Sequence, residues 1–85
     1  MRLRAPGVAE ELAAKVAGAV ARLRALDMAK PPGVAETIDW AHALALVGAT
    51  SLDRERVVDT LGAVVKDHDD LVLVHQHLAE VVADG

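Results

Sequence analysis

Eighty-five residues with a formal net charge of −4, 53% hydrophobic residues and no cysteine leave room for one small core in a single domain. The lack of cysteine excludes a disulfide frame, a thiol nucleophile and a cysteine zinc site, and the acidic balance argues against general nucleic-acid binding. No apolar run approaches the ~18 residues of a membrane span, and Met1-Arg2-Leu3-Arg4 is not followed by a signal-peptide centre, so a soluble cytoplasmic protein with no membrane contact is expected.

The apolar residues are mostly Ala, Val and Leu, and Trp40 is the single aromatic. Small side chains each bury little area, and so high an apolar fraction leaves surface over for a partner, another copy or a missing domain. Charge is uneven along the chain. Arg2, Arg4, Lys15, Arg22, Arg24 and Lys30 make the first third positive, and the remainder is acidic. The basic part could meet an acidic surface or a phosphate, although solvated helix faces explain the pattern equally well.

Pro6 and Gly7 mark residues 1–7 as an extended lead-in. Val8, Leu12, Val16, Ala19, Val20, Leu23 and Leu26 then repeat at three- and four-residue steps, which predicts a first helix over about 8–29. Glu10 and Glu11 open it and Arg22 and Arg24 close it, the charge order a helix dipole favours. Pro31 and Pro32 lack backbone donors and push the preceding residues away from helical angles, so the helix must stop near Lys30. Gly33 is expected to take unusual dihedrals at a tight entry, and Glu36 falls in the first turn of the helix that follows.

That second helix spans about 34–47, with Trp40, Ile38 and Leu44 as its core anchors and Gly48 as a left-handed stop. Ser51 and Asp53 both offer caps for a third helix over about 52–66, whose apolar positions are Val57, Val58, Leu61, Val64 and Val65. Asp67, Asp69 and Asp70 suit an exposed helix start, which places a break there and a fourth helix over about 69–83. One continuous third and fourth helix is the alternative, since neither Gly nor Pro enforces the break. The expected fold is all-α, a small four-helix bundle in a single helical domain over 1–85.

Chemistry is sparse in this pattern. His75 and His77 are two apart and point to different sides of a helix, and His68 and His75 are two turns apart, so no metal site is expected. Ser51 and Thr60 have no base at a recognisable spacing, and no glycine-rich phosphate loop precedes a lysine, so no catalytic residue is expected. The indole N–H of Trp40 needs an acceptor if the ring is buried, and Asp39 either supplies it or faces solvent.

The stretch Lys30-Pro31-Pro32-Gly33-Val34-Ala35-Glu36-Thr37-Ile38-Asp39-Trp40-Ala41 resembles the C-terminal helical lid of MoxR-like AAA+ ATPases, in the branch associated with von Willebrand factor A partners. Arg4-Ala5-Pro6-Gly7-Val8-Ala9-Glu10, Val20 to Asp27, Leu52-Asp53 and Thr60 to Lys66 are similar to flanking parts of that lid, so the likeness covers roughly residues 4–70. The resemblance implies a nucleotide-responsive mechanical and interaction element, not an enzyme by itself. It needs no cofactor in this fragment, with ATP and Mg2+ implied only for a full-length relative. Implied partners are the AAA+ core module or a neighbouring subunit, a von Willebrand factor A type protein and a second copy of the chain. None of the Walker residues of the family's ATPase module occurs here. Thr37 stands about where many relatives carry a phosphate-sensing arginine, a departure that leaves Lys30 as a substitute cation. Glu36 and Thr37 would then contact nucleotide indirectly or touch a neighbouring subunit, or serve only as a first-turn carboxylate and an ordinary helix residue. A stand-alone helical adaptor that docks another protein or self-associates is the alternative.

Overall fold

The computed structural model describes residues 7–49 and 52–82, and every described element is helical. In chain order these are α1 (Glu10–Ala25), α2 (Val34–Leu46), α3 (Arg54–Thr60), a 3-10 turn (Leu61–Ala63), α4 (His68–Gln76) and α5 (Leu78–Val81). The fold is a small all-α bundle, and no described helix is long and apolar enough to cross a membrane. Residues 1–6 of the expected lead-in, the candidate cap Ser51 and residue 83 of the expected fourth helix lie outside the described residues.

The first helix is shorter than its apolar periodicity predicts. It ends at Ala25, and Leu26 turns to an extended conformation with ψ 156°. The cause lies far along the chain. The N–H groups of Ala29 and Lys30, which a continuing helix would spend on its own carbonyls, donate to Asp70 Oδ1 at 2.8 Å and Oδ2 at 2.9 Å. Met28 meanwhile folds back into the core. Past the prolines, α2 starts at Gly33, whose φ of −91° and ψ of −169° are ordinary extended values. The entry therefore does not use the dihedral freedom expected of that glycine.

Gly48 does use it. With φ 73° it donates to the Ala45 carbonyl while Ala49 N–H reaches back to Leu44, the paired bonds of a Schellman stop. Asp53 caps α3 by accepting the Arg56 N–H at 2.8 Å. Thr60 then turns its hydroxyl onto the Arg56 carbonyl, and the chain tightens into the 3-10 turn instead of continuing to residue 66. Asp67 caps α4 through the Asp70 N–H, so the third and fourth helices are separate. The expected fourth helix is itself divided at His77, where φ is −119°.

One core joins all of these elements. Val16, Val20 and Leu23 of α1, Trp40 and Leu44 of α2, Val57, Leu61, Val65, and Val74 and Val81 from the C-terminal helices make up its centre. Arg22 Nε donates to the Val81 carbonyl at 3.0 Å and thereby fastens α1 to the end of α5. Trp40 is fully enclosed, and its Nε1 donates to Thr60 Oγ1 at 2.7 Å. Asp39, the acceptor weighed from sequence, is exposed.

Thr60→Val keeps the side-chain shape but strands the buried indole N–H, and is expected to lower unfolding free energy by about 1–3 kcal/mol in a urea titration followed by circular dichroism. In a Trp40→Phe background the same change is expected to cost less, because no donor is then left unpaired. Equal costs in both backgrounds would show that the Trp40–Thr60 bond contributes nothing.

Candidate functional site

Three residues form the sequence-derived candidate site, and the structure separates them. Lys30 and Glu36 line one cleft together with Pro31, Pro32, Val64, Lys66 and Asp67, with a volume near 280 Å³. Thr37 does not reach it. Its side chain is 0% exposed, and its hydroxyl donates to the Gly33 carbonyl at 2.7 Å, one turn back in the chain. An i→i−4 bond of this kind consumes the only donor of a threonine. The position where the resemblance implies nucleotide contact is therefore part of the core.

The cleft is built by the bend. Two consecutive prolines remove two backbone donors, and the chain is held there by side chains from other elements. Arg24 Nε of α1 donates to the Pro32 carbonyl at 3.0 Å, and Asp70 of α4 takes the Ala29 and Lys30 amides. Pro32 is buried while Lys30 and Pro31 stay exposed at the rim. On the far side, Val64, Lys66 and Asp67 come from the segment between the 3-10 turn and α4.

Two lysines and two acidic residues thus line one small hollow together with Pro31, Pro32 and Val64. The Glu36 carboxylate leans back over Gly33, so that a methyl group there would meet it at 3.6 Å. Mixed charge of this kind suits docking of a polar protein surface more than capture of a free polyanion. Lys66 was not singled out in the sequence. The signal that would have found it is the bend itself, since its partner wall must come from whichever segment carries the acceptor for the Ala29 and Lys30 amides.

The anchors named with the site divide by depth: Trp40 and Leu44 are fully buried, and Ile38 is half-buried against the core. Comparison with known proteins assigns no family. No family model, curated protein or solved structure matches this chain.

Among the described residues, no three His, Cys, Asp or Glu side chains gather where they could hold a metal ion. His77 Nδ1 lies 3.4 Å from Glu80 Oε2 on the same short turn, and His68 and His75 are exposed. The acidic cluster also differs from its sequence reading. Asp70, expected on an exposed helix start, is 3% exposed and points inward to the bend. No buried side-chain nitrogen or oxygen among the described residues lacks a partner.

A second hollow, near 310 Å³, runs along the small residues Ala14, Ala17, Gly18 and Ala21 of α1 and ends at Arg24. Apolar side chains also stand in solvent at Val34, Leu46, Val47, Val58 and Val72, and Leu46 is 88% exposed. Leu46 is exposed because it lies about 200° around α2 from Leu44, on the side away from the core.

An arginine at residue 37, where the resemblance implies one, tests this geometry. Thr37→Arg places a guanidinium where no water reaches, and is expected to destabilise the fold by on the order of 3 kcal/mol or more, read as a fall in melting temperature. An unchanged melting temperature would mean that residue 37 can reach the surface.

Proposed function

We propose that this chain is the helical lid of a MoxR-like AAA+ ATPase, a mechanical and docking element whose catalysis comes from a separate α/β module. In this reading the bend and cleft meet that module or a neighbouring subunit, and ATP with Mg2+ is bound by the module. The exposed apolar side chains face the module, a von Willebrand factor A type protein or a second copy. A cytoplasmic location belongs to the same proposal.

The observation that carries it is the cleft. It gathers Lys30, Pro31, Pro32 and Glu36, the most distinctive part of the family-like stretch, at one surface ahead of the tryptophan-bearing helix. An all-helical bundle with unpartnered apolar side chains on α2, α3 and α4 supports it further. Lys30 and Lys66 are the cations that line the cleft, and Thr37 is sealed in the core.

The burial of Thr37 also favours a second reading, a stand-alone helical adaptor. A lid without a phosphate-sensing side chain keeps docking as its role, and docking does not require an attached ATPase. The reading frame around the gene discriminates between the two. An in-frame α/β module with a glycine-rich phosphate loop upstream belongs to the lid, and a frame that opens at Met1 belongs to the adaptor.

The biochemical test joins that upstream module to this chain. The joined protein is expected to bind a fluorescent ATP analogue in the presence of Mg2+, and Lys30→Glu is expected to weaken that binding. A joined protein that binds no nucleotide would overturn the lid reading.

A further inference from the structure

The walls of the cleft belong to different parts of the chain. Lys30, Pro31, Pro32 and Glu36 form one, from the bend and the start of α2; Val64, Lys66 and Asp67 form the other, just ahead of α4. Asp70 fastens the first wall to the second. Its two carboxylate oxygens accept the successive N–H groups of Ala29 and Lys30, 41 and 40 residues away, and its own N–H is held by Asp67 Oδ1 at 3.1 Å.

The helix that carries this carboxylate is thinly anchored. Asp70 and Val74 are the buried residues of α4, with Leu71 and Leu73 half-buried, whereas α1 buries a stripe running from Leu12 to Leu23. Pro31 and Pro32 bring no N–H of their own to the bend, so the amides of Ala29 and Lys30 are the backbone donors through which α4 holds it. Ala29 and Lys30 are themselves exposed, and water can take over their amides if the carboxylate leaves. Losing the contact therefore has a local outcome available to it, in which the bend and α4 part while the α1–α2 core stays closed.

We infer that Asp70 is a latch: its carboxylate holds the two walls of the cleft together, and its release opens the cleft by letting α4 move against the bend. The cleft then has a closed and an open form, and a partner that binds one of them shifts α4. That regulatory use rests on the docking role proposed above. The latch itself can be tested on the chain alone, so either can fail without the other.

Amide hydrogen exchange reads the latch directly. In Asp70→Ala, the amides of Ala29, Lys30 and α4 are expected to exchange at least about tenfold faster, while those of α1 and α2 stay within about twofold of the parent and Trp40 emission keeps its buried position. Asp70→Asn, which retains one acceptor oxygen, is expected to fall between the two, and decides the matter by the same pattern if the alanine variant does not fold. Uniform acceleration through α1, α2 and α4 would make Asp70 a part of the global core and overturn the latch. Unchanged exchange at Ala29 and Lys30 would overturn it as well.

Discussion

A protein with a single aromatic side chain must decide where to put it, and here the indole of Trp40 lies at the centre with its one polar atom satisfied by Thr60. The consequences reach beyond α2. For Thr60 to accept from the indole it must lie at the end of α3, and with its hydroxyl proton turned onto the Arg56 carbonyl it closes a short relay from ring to hydroxyl to backbone. A buried N–H without such an acceptor costs about 1–3 kcal/mol, a large share of the stability of a domain this small. The relay therefore fixes the placement of α3 and the 3-10 turn against α2, while the surrounding Val and Leu side chains supply area without direction.

Polar contacts at the periphery orient what the core leaves free. Arg22 and Arg24, two residues apart in the last turn of α1, reach the Val81 carbonyl and the Pro32 carbonyl respectively. Asp70 reaches the amides just before the prolines. Each is a charged side chain paired with backbone, the stronger class of hydrogen bond. In a bundle built from small apolar residues, these three side chains specify how the bend and the two C-terminal helices sit on α1 and α2. The cleft is a by-product of that arrangement, and it is where the chain offers charged groups of both signs to a partner.

The helical class, the core role of Trp40 and Leu44 and the left-handed turn at Gly48 were legible because each depends on local spacing or on one residue's dihedral range. The end of α1 was not legible, since the acceptor that draws Ala29 and Lys30 out of the helix is 40 residues away. Nor was the break at His77, where neither proline nor glycine marks the chain. Asp70 misled for a related reason. An acid in a helix's first turn usually faces water, and only the fold shows that this one faces a pair of backbone donors. At the candidate site, Lys30 and Glu36 came together as neighbours of the bend, but Lys66 came from a distant segment and Thr37 turned the other way.

The link between Arg22 and the Val81 carbonyl joins residues 59 apart in the sequence. A ribosome delivers α1 well before α5, so the face of α1 that α5 covers stays bare until α5 has been made. Until then that part of α1 has only the earlier elements to pack against. Chaperones and other growing chains would meet it during that interval, long before the finished bundle conceals it.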